Sequence, residues 1–313
     1  MKSFVNLNAI YNLTTVVDEA LLLKKKSFDY KEIGQNKTLV MLFFNSSLRT
    51  RLSTEKAAKN LGMEVMILNV NDAWNLEFAD GTIMNLDTAE HIKEAAGVIS
   101  EYADIIAVRA FPGLVDKAAD ERELVIESFK KYAKVPIVNM ESCTAHPLQA
   151  LADAITITEL KQHNKPKVVL SWAPHPKALP HAVANSFINM MKMMDVDFSI
   201  THPVGYELNE EITRGVPIQY NQEEALKDAD FVYTKNWSSY QEYGKVLSTD
   251  SNWMITQENL DQAKFMHCLP ARRNVIVEDA VLDSEQSVVL QQAGNRVFSA
   301  QIVLKKILES LNE

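Results

Sequence analysis

Short apolar runs alternate with longer stretches of helical periodicity along the whole chain, and this alternation limits the fold more than any other feature. Lys37–Phe44, Glu64–Val70, Asp104–Val108 and Val135–Asn139 read as buried strands. Between them, Thr50–Leu61, His91–Tyr102 and Glu121–Tyr132 space their apolar residues three and four apart, as helices do. The second half repeats the pattern. Strands are expected at Lys167–Trp172, Asp197–Thr201, Asp230–Thr234, Lys264–His267 and Ser287–Leu290, with helices at Leu148–Gln162, Ala182–Met194, Glu223–Lys227 and Glu258–Gln262. Such a pattern predicts an α/β fold of two domains, each a parallel sheet covered by helices. The expected boundaries are 1–147 for the first domain and 148–295 for the second. Residues 296–313 form a last helix expected to pack back on the first domain, and His146–Gln162 the helix that bridges the two. Lys24–Lys26 reads as a solvated helix end.

Charge and composition then narrow the function. Lys and Arg total 32 and Asp and Glu 41, a formal charge of −9. An acidic chain argues against nucleic acid or an anionic membrane as the main partner, since both need a basic footprint. No apolar run reaches the roughly 18–20 residues that span a bilayer, and Met1–Tyr11 lacks the features of a secretory leader. Two cysteines, Cys143 and Cys268, fit a reducing compartment; the chain reads as cytoplasmic. None of the nine glycines forms G-x-G, and no G-x-x-x-x-G-K-[ST] loop is present, so the two commonest nucleotide cradles are missing. H-E-x-x-H and C-x-x-C are absent too, so a fixed tetrahedral metal site is not expected.

Parallel sheets bind ligands beyond the carboxyl ends of their strands. There the sequence places Ser46-Ser47-Leu48-Arg49-Thr50-Arg51, Arg109, Glu141 with His146, His175, His202, Lys235, and His267-Cys268-Leu269-Pro270 followed by Arg272-Arg273. Cationic and imidazole side chains thus gather at strand ends of an acidic protein, which suggests a small anionic ligand. The Ser47–Arg51 segment opens a helix, where unbonded N–H groups and the positive end of the helix dipole favour phosphate. Simple capping by Ser46 or Ser47, with both arginines solvated, is the competing reading. His146, His175, His202 and His267, each taken alone, read more readily as structural histidines than as catalytic ones.

Together and in this order, these motifs resemble the aspartate/ornithine carbamoyltransferase family. The family's S-T-R-T-R stands as Ser47-Leu48-Arg49-Thr50-Arg51, with Leu48 in place of the first Thr. H-P-x-Q stands as His146-Pro147-Leu148-Gln149, and H-C-L-P as His267–Pro270. The resemblance covers essentially the whole chain. Where ornithine enzymes of the family carry an acidic residue and S-M-G to grip a free α-ammonium, this chain has Lys235-Asn236-Trp237-Ser238-Ser239-Tyr240. A lysine suits a carboxylate and opposes an ammonium, so the resemblance is to the branch acting on N-acylornithines. Asp72-Ala73-Trp74 and Asn139-Met140-Glu141 fit the same branch.

The resemblance implies a transcarbamylase fold and a set of site residues. Ser47, Leu48, Arg49 and Thr50 would hold carbamoyl phosphate. Arg109, His146 and Gln149 would take its carbamoyl end, and Cys268, Leu269 and Arg296 would close the site. Glu141, His175, Lys235 and Arg272, with Cys268 and Leu269, would face the acylornithine. Arg109, His146, Thr50 and Cys268 would be the catalytic set, with closure of the domains over the substrates. Trp74 would reach in from a neighbouring subunit, because family members are trimers with active sites at subunit interfaces. The reaction implied carbamoylates the δ-amine of N-succinylornithine, giving N-succinylcitrulline and phosphate, in arginine biosynthesis. N-acetylornithine is the alternative acceptor. In the segment Asp87-Thr88-Ala89-Glu90-His91, acetyl-type relatives resemble D-T-E-E-H and succinyl-type relatives D-K-P-E-H, so Ala89 is the expected selector; Val108–Pro112 is more acetyl-like. A paralogue that binds carbamoyl phosphate without turnover is a further alternative.

Overall fold

The computed structural model describes residues 1–70 and 75–312. The chain divides into two compact units. The first comprises Met1–Gly113, Ala118–Leu148 and Arg296–Glu313, the second Leu114–Lys117 and Gln149–Asn295.

The strands of the first unit are, in chain order, β1 (Thr38–Phe43), β2 (Glu64–Asn69), β3 (Leu76–Glu77), β4 (Glu90–His91), β5 (Ile105–Arg109) and β6 (Ile137–Glu141). Four of them make a parallel sheet in the order β2-β1-β5-β6, and β3 and β4 pair separately. Successive residues of β1, Leu39 to Phe43, are all buried, so both faces of the sheet are covered, as the unbroken apolar run requires. On one face Ile92, Ala96 and Ile99 of the Ile92–Tyr102 helix and Ile126 and Phe129 of the Leu124–Tyr132 helix pack on Val40, Leu42, Ile106 and Val108. The chain runs from β1 to β2 on one side and crosses to β5 and β6 on the other. The carboxyl ends of β1 and β5, where Phe43 lies beside Arg109, are therefore the switch point of this sheet.

The second unit has β7 (Lys167–Trp172), β8 (Asp197–Thr201), β9 (Ile218–Gln219), β10 (Phe231–Lys235) and β11 (Lys264–Met266). They form a parallel sheet in the order β11-β10-β7-β8-β9. Val169, Val232 and Phe265 pack with Leu226, Leu260 and Val281 on one face. On the other, Phe187 of the Ala182–Met191 helix stacks on Tyr233 at 4.2 Å. Here the switch point lies between β7 and β10, where Lys235 is paired with Trp172.

Four expectations need correction. Ser287–Leu290 is not a strand. Phe265 bridges Ser287 alone, and Val288 O already accepts from Gln292 N, so the chain turns at once into the Val289–Leu311 helix. That helix consequently begins seven residues before Arg296. Glu121–Tyr132 is two helices, Lys117–Glu121 and Leu124–Tyr132, because Glu123 takes the left-handed conformation with φ 51° and ψ 41°. The Leu13–Lys25 helix was missed; Asn12 caps it by accepting from Thr15 N at 3.0 Å.

Candidate active site

In the first unit, β1 runs into the Phe44–Leu48 loop and then the Arg49–Asn60 helix. Ser47 Oγ accepts from Thr50 N at 3.3 Å, and the residue at the N-cap, Leu48, has no capping side chain. Leu48 is 66% exposed, Arg49 half-buried and Thr50 buried. A pocket of about 690 Å³ opens here, lined by Phe44, Asn45, Ser46, Ser47, Leu48 and Arg51 among others. The two arginines differ. Arg51 lies on the Phe43 ring at 4.8 Å and bonds Asn69, which ties it to the sheet. The helix that carries this turn is closed at its far end by Gly62, whose φ of +84° suits glycine. A Cβ there would come within 2.0 Å of Lys31 O.

Arg109 ends β5 at the switch point and is buried. Its Nη1 donates to Asn45 O at 2.9 Å and Ser46 O at 2.6 Å, and Nε donates to Glu141 Oε2 at 3.3 Å. Nη2 is 3.2 Å from the same Oε2. Of the five N–H groups of a guanidinium, three make these hydrogen bonds. Burial pushes the Arg109 pKa down, the Glu141 carboxylate opposes that, and nearby Arg49 adds to it. Arg49 is thus near enough to repel Arg109, and a bound anion would relieve that repulsion. His146 is buried with Nε2 3.6 Å from Glu141 Oε2. Arg296 Nη2 donates to Thr50 Oγ1 at 2.7 Å. The structure thus brings together Ser47, Arg49, Thr50, Arg109, Glu141, His146 and Arg296. Glu141, expected to face the acylornithine, is bonded to the arginine expected to face carbamoyl phosphate.

In the second unit, Lys235 ends β10 at that sheet's switch point; it is buried and donates to Asn236 O at 3.0 Å. Arg272 Nε donates to His175 Nε2 at 3.0 Å. An arginine can only donate, so Nε2 is the acceptor, while Nδ1 lies against Lys177 O at 2.8 Å and Lys177 N at 3.0 Å. Burial lowers the His175 pKa, the hydrogen bond to the Lys177 backbone opposes that, and the charges of Arg272, Lys235 and Lys177 lower it further. The result is a neutral histidine within a cationic group, suited to carboxylate.

The His267–Pro270 segment belongs to the same unit. His267 N donates to Gln292 Oε1 at 2.9 Å, Gln292 Nε2 to Asp153 Oδ1 at 2.7 Å, and Gln149 Nε2 to that same oxygen at 2.7 Å. This chain ties two of the expected site segments to one buried carboxylate. Leu269 has φ 58°, a conformation costing a non-glycine residue about 1–2 kcal/mol. His267 Nδ1 holds it there by accepting from Leu269 N at 2.8 Å. Cys268 lies beside the buried Tyr233 hydroxyl, whose pKa is raised first by burial and then by Asp153 and Cys268.

Trp74, with Asp72 and Ala73, lies outside the described residues. Ala89 is exposed on the turn before β4 and donates its N–H to Asn75 O at 3.0 Å. Asn45, Asp153 and Gln292 escaped the sequence reading. Asp153 left a signal: a carboxylate one helical turn after Gln149, inside an apolar helix. Among the described residues no group of three His, Cys, Asp or Glu could hold a metal, and no helix is long and apolar enough to cross a membrane.

Two family descriptions match. Residues 2–159 match the aspartate/ornithine carbamoyltransferase carbamoyl-P binding domain, and residues 180–307 the Asp/Orn binding domain. The N-succinylornithine carbamoyltransferase of Bacteroides fragilis is 48% identical, over 99% of this chain and all of its own. The N-acetylornithine carbamoyltransferase of Xanthomonas campestris is 35% identical, over 93% of this chain and 94% of its own. Among solved structures, a variant of N-acetyl-L-ornithine transcarbamylase complexed with carbamyl phosphate and N-succinyl-L-norvaline has a TM-score of 0.90 at 34% identity. It covers 98% of this chain and 100% of its own. With both domain descriptions matched and identity sustained end to end, the chain belongs to the aspartate/ornithine carbamoyltransferase family.

Proposed function

We propose that this chain transfers the carbamoyl group of carbamoyl phosphate to the δ-amine of an N-acylornithine, with N-succinylornithine the preferred acceptor. The observation that carries the reading is the chemistry at the two switch points. One gathers Arg49, Arg109 and Thr50 at a helix start; the other gathers Lys235, Arg272 and a neutral His175. The first suits a phosphoryl group and a carbonyl oxygen, the second a carboxylate.

Ser47, Leu48 through its backbone, Arg49 and Thr50 bind the phosphate, with Arg296 on Thr50 and Gln149 and Leu269 completing the carbamoyl phosphate set. The neutral δ-amine attacks the carbonyl carbon. Negative charge grows on the carbonyl oxygen, where Arg109, His146 and Thr50 donate; one such donor is typically worth about 10²–10³ in rate. The C–O bond to phosphate breaks, Arg49 and the helix start stabilise the leaving group, and the departing phosphate takes the amine proton. Glu141, His175, Lys235, Arg272, Cys268 and Leu269 orient the acylornithine. No metal or organic cofactor enters this scheme.

Support for the succinyl group comes from the relatives. Two Bacteroides N-succinylornithine carbamoyltransferases are 48% identical, against 33–35% for the N-acetylornithine enzymes. Several similar structures are variants of N-acetyl-L-ornithine transcarbamylase that lack one glutamate and hold N-succinyl-L-norvaline. That accords with Ala89 standing where acetyl-type relatives carry glutamate. A homotrimer, with Trp74 supplied to a neighbouring subunit, is part of the proposal. The exposed apolar side chains of Leu48, Leu52, Met66, Val98 and Tyr102 on the first unit support it. A cytoplasmic place in arginine biosynthesis completes it, supported by the absence of a disulfide.

The test is citrulline-type product formation with ornithine, N-acetylornithine and N-succinylornithine side by side. The succinyl substrate should give the highest kcat/KM and free ornithine almost none. Equal rates on ornithine would overturn the acyl assignment, and sedimentation as a monomer would overturn the trimer.

A further inference from the structure

We propose that Glu123 is a positioning residue for His146 and Glu141, acting through the Ser142–Ala145 turn; this rests on the carbamoyl-transfer reading above. The Glu123 carboxylate faces four donors of that one turn. Oε1 accepts from Ser142 Oγ at 2.8 Å, Thr144 N at 2.7 Å and Thr144 Oγ1 at 2.6 Å, and Oε2 from Cys143 N at 3.1 Å. The turn is closed on itself by Ser142 N donating to Ala145 O at 2.8 Å. Asn139 Nδ2 anchors its start by donating to Ser142 Oγ at 2.9 Å and Val5 O at 3.0 Å. Its two flanks are Glu141, which holds Arg109, and His146, 3.6 Å from the same Glu141 oxygen. A displacement of the turn therefore moves both groups together, and Arg109 with them.

The backbone of Glu123 points the same way. Its φ of 51° is one that a residue with a side chain rarely adopts. Glu123 also precedes a helix whose N-terminus it does not cap with its side chain. The carboxylate is used on the turn instead of on its own helix, and the left-handed backbone aims it there. Cys143 supplies a reporter: burial and the neighbouring Glu123 charge push its thiol up to about 12, so the native thiol is inert and loss of the carboxylate exposes it to alkylation.

The experiment compares wild type with Glu123→Gln, Glu123→Ala and Glu123→Gly. It reads kcat, KM for each substrate, Tm, and iodoacetamide labelling of the Cys143 peptide by mass spectrometry. Glu123→Ala should lower kcat by about 10–100-fold, the scale of a misplaced catalytic group, with KM for the acylornithine little changed and Cys143 labelling faster. Glu123→Gly relaxes the backbone but removes the same bonds, so its kcat should be as low. Recovery of activity in the glycine variant would assign the effect to strain and overturn the proposal. Glu123→Gln, nearly the same shape, keeps one acceptor oxygen and should fall between. If Ala and Gly fail to fold, it decides alone: a kcat equal to wild type overturns the proposal. An inactive wild type would overturn the carbamoyl-transfer reading itself, whereas active wild type beside equally active variants overturns this inference only.

Discussion

Arg109 and Glu141 form a buried ion pair in which Nε and Nη2 of the arginine share one carboxylate oxygen, at 3.3 and 3.2 Å. Both residues close adjacent parallel strands, β5 and β6, and stand opposite each other after a register shift at Val108. Removing one member of such a pair strands the other charge, at a typical cost of about 3–5 kcal/mol. Glu141→Ala should therefore weaken the first unit in urea unfolding and raise KM for carbamoyl phosphate as well as for the acceptor. A stability change below about 1 kcal/mol would show that the pair is solvated in solution.

Arg49→Ala should behave differently. Arg49 is half-buried, so Tm should stay within a few degrees of wild type while kcat/KM falls by about 10²–10³. Arg51→Ala is the control: with Arg51 held on Phe43 and Asn69, it should retain far more activity. Equal losses in the two variants would remove the distinction drawn between them.

The neutral state of His175 sets a pH dependence. Its pKa is below the ordinary value, so the imidazole stays an acceptor for Arg272 through neutral pH and becomes protonated only at pH values below about 6.5. Because the folded state resists protonation while the unfolded chain does not, the stabilising contribution is present above that pH and lost as pH falls. Unfolding stability should be flat from about pH 7 to 9 and fall on the acid side. Calorimetry across that range checks it; a loss that begins above pH 7 would contradict the lowered pKa.

Ala89→Glu should shift acceptor preference toward N-acetylornithine by roughly 1–3 kcal/mol, the range for a misplaced charge at a specificity site. The readout is the ratio of kcat/KM for the two acylornithines. An unchanged ratio would remove position 89 as the selector.

The architecture was legible because apolar runs such as Lys37–Phe44 and Lys167–Trp172 are too short for buried helices and too continuous for one-sided sheets. The strand-end residues were legible because motif chemistry is local: Ser47, Arg49 and Thr50 lie within four positions. What escaped was set by distant partners. Nothing near Glu123 in the sequence announces a left-handed break, since the donors that hold its carboxylate come about twenty residues later. Ser287–Leu290 failed for the opposite reason. Its three apolar residues fit a strand or a helix start, and one bridge to Phe265 was too little to hold it in the sheet.

The first unit takes in both ends of the chain, with Ile302, Val303, Leu304, Ile307 and Leu308 of the last helix buried in it and Gln301 bonded to Asn60 and Ser27. On the ribosome, the sheet of that unit is complete once β6 has emerged, yet its core stays open until some 150 further residues are made. The second unit is contiguous except for Leu114–Lys117. A chain cut short before residue 300 therefore lacks the side chains that fill this part of the first unit.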